Sequence, residues 1–351
     1  MKSVLRNILN DASADQRAKV TSIYALLGVV NVAIWIWAVI SLSDRPALLG
    51  TAFLAYVLGL RHAVDPDHIA AIDNVVRKLM QEGKRPHAVG LFFALGHSLA
   101  VGLAAAAIAA TAAAIETRFE GFKSVGAVVS TAVSAFFLLA IALTNVVILR
   151  GVWRSFKKAR RGEPVLEDEL NMLLAGRGFL ARLFRPLFRM VRRSWHMFPV
   201  GLLFGLGFDT ATEISLFAVA ASQASGGMSF STVMIFPALF TAGMTLLDTT
   251  DSVLMVGAYG WAFLNPIRKL WYNLTITSVS VLVAFFIGGI EALGLIADQL
   301  SLDTGFWKLV GDLNDGLANF GFIIVGVFIA AWVISFAIYK LRRLDERPAS
   351  V

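Results

Sequence analysis

Eight apolar stretches, near residues 21–42, 47–73, 88–114, 124–149, 198–222, 230–257, 270–297 and 317–340, constrain this chain more than any other feature. Each is long enough to cross ~30 Å of hydrocarbon, which takes ~20 helical residues. None alternates with the two-residue period of a barrel strand. Backbone in lipid must be hydrogen-bonded internally, so helices are the spanning element that remains. Only 16% of the residues are charged, against roughly 25% in a soluble domain, which is too little polar surface to cover a water-soluble core. The expected fold is all-α, a polytopic membrane protein with eight transmembrane helices and both termini cytoplasmic.

The orientation comes from the basic residues. With the N-terminus inside, 26 of the 31 lysines and arginines fall in cytoplasmic segments and four (Arg45, Arg118, Lys123 and Lys308) fall outside, with Arg61 inside a span. Such a split is the usual positive-inside signature. The chain then divides into a cytoplasmic tail over 1–20, helices one to four over 21–149, a basic cytoplasmic loop over 150–196, helices five to eight over 197–340, and a second tail over 341–351. In the loop, Phe179, Leu183, Leu187 and Met190 have helical spacing, which hints at an interfacial helix; a plain linker is the simpler reading. The net charge of +7 is spread through these loops, so it points to the lipid bilayer as partner rather than to nucleic acid. Cysteine is absent, which leaves nitrogen and oxygen as the ligands of any metal site.

Polar residues then stand out inside the spans. The second span contains Arg61-His62-Ala63-Val64-Asp65-Pro66-Asp67-His68. A charged residue at the bilayer centre costs ~2.5–3.5 kcal/mol on insertion scales, so it marks function by default. The third span adds His97, the fifth Asp209 and Glu213, and the sixth Asp248 and Asp251. The last two pairs are spaced i,i+4 and i,i+3, which puts each pair on one helix face. At ~1.5 Å per residue, His62, His97, Asp209 and Asp248 lie in one middle-to-inner slab of the membrane. A single shared site follows. Proline clashes with the carbonyl four residues back, so Pro66 predicts a break that turns His62, Asp67 and His68 toward one point and frees the His62 carbonyl.

The predicted metal ligands are His62, Asp67, His68 and His97. Asp65, Asp209, Glu213, Asp248 and Asp251 support the site or carry ions and protons, and Arg61 is a counter-charge for the empty site. Asn31, mid-span in the first helix, reads as a group that trims the site from one side, or else as interhelical glue. The threonines beside the acids read as hydrogen-bonding and packing residues. Asp73 and Asn74 are open to a reading as a helix end at the inner surface. Imidazole with carboxylate suits borderline divalent ions such as Ni, Co, Zn and Cu(II), and binding would release histidine protons.

Four of these segments resemble the motifs of the nickel/cobalt transporter family. Arg61 to Ile69 is similar to its second-helix signature, with the His-x4-Asp-His core at His62, Asp67 and His68. Gly96-His97-Ser98, Leu206 to Glu213, and Gly243 to Asp251 resemble the third-, fifth- and sixth-helix motifs. Pro66 departs from the family, which usually has alanine there. The resemblance implies uptake of Ni2+ or Co2+ as the transported substrate, with no cofactor, a metal-recognition core in the second helix, and eight spans with both termini inside. There is no nucleotide-binding loop, and no ATP-binding subunit is implied. Two other classes remain in view. An intramembrane metal enzyme would need more spanning histidines or a His-Glu-x-x-His motif, and a divalent-cation channel would need a continuous wet pore.

Overall fold

The structure is a computed structural model that describes residues 8–11, 15–111, 116–160, 191–206, 211–262 and 266–341. Among these, every regular element is helical. The main helices are α1 (Gln16–Ser41), α2 (Ala47–His62), α3 (Pro66–Gln81), α4 (Val89–Thr111), α5 (Glu116–Arg160), α6 (Met197–Phe204), α7 (Ala211–Ser225), α8 (Ile235–Ala262), α9 (Pro266–Gln299) and α10 (Phe306–Leu341). A 3-10 turn at Ser194–His196 precedes α6, and a single turn at Phe230–Val233 precedes α8. Asp209, most of the basic loop with its hinted interfacial helix, and the ends of both tails lie outside the described residues.

By length and composition α1 is long and apolar enough to cross a membrane, as are 89–110 in α4, 230–260 through α8, and 274–299 in α9; the bent pair α2–α3 passes the same test when its two helices are taken together. Helix α1 buries only 17% of its apolar window, and Val29, Val32, Ile36, Val39 and Ile40 stand exposed on it. An outer surface this apolar matches lipid rather than water.

The expected break in the second span is present, though its details differ from the sequence reading. Helix α2 stops at His62 and α3 starts at Pro66, with the two axes bent by 52°. Asp65, the N-cap of α3, is extended at φ −65° and ψ 143°. Proline at N1 loses no hydrogen bond there, because that N–H has no intrahelical partner. The His62 carbonyl is not freed: it accepts the Asp65 N–H at 2.9 Å. Nor does the helix end near Asp73. It continues to Gln81, with Asp73, Asn74, Arg77 and Lys78 all buried.

Helix α8 is the hub, packing against α1, α2, α3, α4 and α7. Glycine makes two approaches tight enough to set the site. A Cβ on Gly96 would collide with the Phe198 carbonyl of α6, and one on Gly90 with the Asp248 carbonyl of α8. Each lets backbones meet directly, as small residues do between membrane helices. Further out, α9 packs on α5, α10 and α3.

A polar clasp closes the end where the N-terminus meets residues 82–88 and 191–196. Buried Lys19 donates to Asp11 Oδ1 (3.0 Å), the Asn10 carbonyl (3.0 Å) and the Arg85 carbonyl (3.2 Å). Asp11 also accepts the Ser194 N–H and hydroxyl, each at 2.7 Å. His87 is buried alongside. Burial, reinforced by the Lys19 charge, pushes its ring down to about 4.

Two predictions follow from this packing. Gly96→Val should destabilise the fold by ~1–3 kcal/mol, read as a lower midpoint in thermal unfolding in detergent; an unchanged midpoint would refute the close approach. Neutral His87 is favoured by the fold, so its contribution is intact above pH 6.5 and is lost as pH falls toward 4. Between those limits wild type should lose about 2 kcal/mol more stability than His87→Gln, and parallel pH profiles would contradict this.

Candidate metal centre

Three helices each deliver one imidazole to the same point. His62 is the last residue of α2, His68 the third of α3, and His97 lies in the first half of α4. The break makes the first two converge, since an unbroken helix would point them apart. The ring centroids form a near-equilateral triangle with sides of 4.8 Å (His62–His68), 4.7 Å (His62–His97) and 4.8 Å (His68–His97). One ligand atom from each lies within 4.8 Å of the others, and all three residues are buried. Phe93 packs edge-on against His68, and Phe240 lies tilted beside His62.

Carboxylates hold two of the rings from behind. His62 Nδ1 lies 2.9 Å from Asp65 Oδ2 and 3.0 Å from the Thr212 hydroxyl. His68 Nδ1 lies 3.2 Å from Asp248 Oδ2. With Nδ1–H donating to Asp248, His68 turns the lone pair of Nε2 outward, the arrangement that orients histidine for a metal, while His62 Nδ1 is set by close contact with Asp65 and the Thr212 hydroxyl. His68 Nε2 is buried without a hydrogen-bond partner among the described residues. His62 Nε2 and His97 Nε2 face each other at 2.9 Å, and Glu213 Oε1 sits 3.1 Å from His97 Nε2 and 3.9 Å from His62 Nε2. Imidazole bonds of ~2.1 Å place neighbouring ligands of an octahedral ion ~3.0 Å apart. The 2.9 and 3.1 Å separations match such edges.

Charge points the same way. Asp65, Glu213 and Asp248 stand against three imidazoles that bind metal only when neutral. Arg61 donates to Asp65 Oδ1 at 2.9 Å and remains part-exposed. Unpaired buried charge costs several kcal/mol, and a divalent cation at the centre of the triangle would relieve it.

The other expected residues sit differently. Asp67 is half-buried on the first turn of α3 and accepts the His68 backbone N–H. The group of mutually close ligand atoms comprises the three histidines without it. A carboxylate at a helix N-terminus is favoured by the free amides there. Asn31 donates to the Leu27 carbonyl of its own helix at 2.9 Å. Asp251 lies one turn beyond Asp248, with Oδ2 buried and without a hydrogen-bond partner among the described residues. Sequence reasoning undervalued Thr212, which touches His62, and missed a second buried network. There Asp73 accepts the hydroxyls of Tyr259 and Ser280, and Asn74 Oδ1 accepts Arg77 and Asn145. The i,i+4 spacing of Asp73 and Arg77 was the available signal.

The model of the NicO family, described as high-affinity nickel-transport protein, matches residues 48–338. The chain belongs to this family. It is 52% identical over 346 residues to a high-affinity nickel transport protein of Cupriavidus necator, covering 99% of each chain. It is 44% identical to the nickel transporter NixA of Staphylococcus aureus, covering 93% of this chain and 95% of that one. It is also 39% identical to the cobalt transport protein NhlF of Rhodococcus rhodochrous, over 90% of each. No solved structure matches it. As a NicO-family chain with several apolar spanning helices, it is a multi-pass protein of the cell membrane.

Asp248→Asn should weaken nickel binding ~10–100-fold by disorienting His68. Isothermal titration of the detergent-solubilised protein checks this, and an unaltered affinity would remove Asp248 from the site.

Proposed function

We propose that this protein is a permease that takes up Ni2+ or Co2+ across the cell membrane, binding the ion at His62, His68 and His97. The convergence of three buried imidazoles from three helices, two of them backed by carboxylates, carries this reading. Family membership supports transport rather than catalysis, since the relatives are named for nickel or cobalt transport. In this reading eight helices span the membrane with both termini cytoplasmic, and the single chain works without an ATP-binding subunit.

Glu213 Oε1 completes the ligand set from α7, while Asp65 and Asp248 fix the tautomers of His62 and His68. Asp67, Asp209 and Asp251 add negative charge that draws the cation in, and Arg61 balances Asp65 when the ion has left. The membrane potential favours inward movement of a divalent ion by ~4.6 kcal/mol per 100 mV, so a secondary mechanism has its driving force at hand. Nitrogen and oxygen ligands suit both nickel and cobalt, and selection between them rests on geometry.

Replacing both His62 and His68 by alanine should reduce uptake of radioactive nickel in an expressing strain by ~100-fold or more. Wild-type uptake should saturate and should be competed by unlabelled cobalt. Survival of uptake in the double variant would overturn the site, and uptake linear in concentration would indicate a pore instead.

A further inference from the structure

Beyond the histidine triangle, α3 buries a second set of charges. Asp73 and Arg77 are 0% and 1% exposed. The two oxygens of Asp73 accept from the Tyr259 hydroxyl of α8 and, at 2.6 Å, from the Ser280 hydroxyl of α9. Arg77 is poorly held for a guanidinium in such a place. Its Nη2 donates to Asn74 Oδ1 at 2.7 Å but stands 3.6 Å from Asp73 Oδ2, well beyond the ~2.8 Å of a charge-assisted hydrogen bond. Its Nε and Nη1 are buried with no partner among the described residues. Asp251 Oδ2 is buried with no partner among the described residues, and Asp251 stands on α8 between Asp248, three residues before it, and Tyr259, eight residues after it, whose hydroxyl reaches Asp73. The acids therefore form a chain from the triangle outward: Asp248 at His68, then Asp251, then Asp73.

We propose that Asp251 and Asp73, with the hydroxyl oxygens of Tyr259 and Ser280, form a second station for the divalent ion, occupied in this conformation by the Arg77 guanidinium in the ion's stead. The inference rests on the histidine triangle being the first site. Asp73 and Arg77 follow His68 by five and nine residues, ~7.5 and ~13.5 Å along the helix. With the N-terminus inside, that is the direction of the cytoplasm. The donor set suits release. Borderline ions prefer imidazole to oxygen ligands, so an all-oxygen station binds more weakly than the triangle. A tethered cation that competes for Asp73 weakens it further. Loose attachment of Arg77 is what such a device needs, because a well-paired guanidinium could not be displaced.

The test uses the full-length protein in detergent for binding and in liposomes for transport, with Ni2+ itself as probe. Wild type should bind one equivalent tightly. Arg77→Gln should bind a second, weaker equivalent, while Arg77→Lys, which keeps the charge, should bind one. Adding Asp73→Asn to Arg77→Gln should remove the second equivalent and leave the first. Asp251→Asn should keep the first equivalent within about threefold of wild-type affinity and lose about tenfold or more in uptake rate. Retention of the first equivalent serves as the fold control for every variant. A single equivalent in Arg77→Gln, or wild-type uptake in Asp251→Asn, overturns the inference alone. A tight equivalent that survives in His62→Ala/His68→Ala overturns the histidine site, and this inference with it.

Discussion

A helix in hydrocarbon satisfies its own backbone, and an interruption exposes amides and carbonyls that lipid cannot pair. The gap between α2 and α3 meets part of this demand within itself. Ala63, Val64 and Asp65 return their amides to Gly59, Arg61 and His62, and the Ile69 amide returns to Asp65. With those four amides paired, the bend brings residues at the two sides of the break onto one centre. His62 and His68 meet only because of this bend, and the partners of the site on α4, α7 and α8 are arranged around their meeting point.

Packing fixes the remaining geometry. Gly96, next to His97, lies against the α6 backbone, and Gly90 lies against the Asp248 carbonyl. These contacts set the height of α4 relative to both neighbours. His97 and Asp248 are therefore positioned by backbone-to-backbone contact rather than by long side chains, whose freedom would blur the ligand distances. Phe93 and Phe240 pack against the buried imidazoles, and charge interactions are stronger in such low-dielectric surroundings than in water.

Much of this was legible in the sequence. The all-helical fold and the convergence of His62, His68 and His97 followed from apolar length, from the cost of buried charge and from the break beside Pro66. What escaped notice depends on partners far along the chain. Whether Asp67 turns to the metal or to the nearest backbone amide is a local competition that residue type does not decide. The His62 carbonyl was expected to be free because a proline stands four residues on; that proline instead opens a new helix, and the Asp65 amide takes the carbonyl. Asp73 and Asn74 were open to a reading as an inner helix end because they are polar and follow an apolar run. Their burial depends on Asn145, Tyr259 and Ser280, which are 71 to 207 positions away.

All three imidazoles come from residues before 112, whereas Thr212, Glu213 and Asp248 follow residue 211. The nitrogen donors and two of the carboxylates that govern them thus belong to opposite halves of the chain. A fragment ending before α6 would hold every imidazole, yet nothing would fix the ring of His68 and the oxygen of Glu213 would be missing. The second fragment would hold acids with no nitrogen to orient. Neither half is a smaller version of the whole, so an evolutionary or engineered division between α5 and α6 can keep function only if both pieces are made together and find each other in the bilayer.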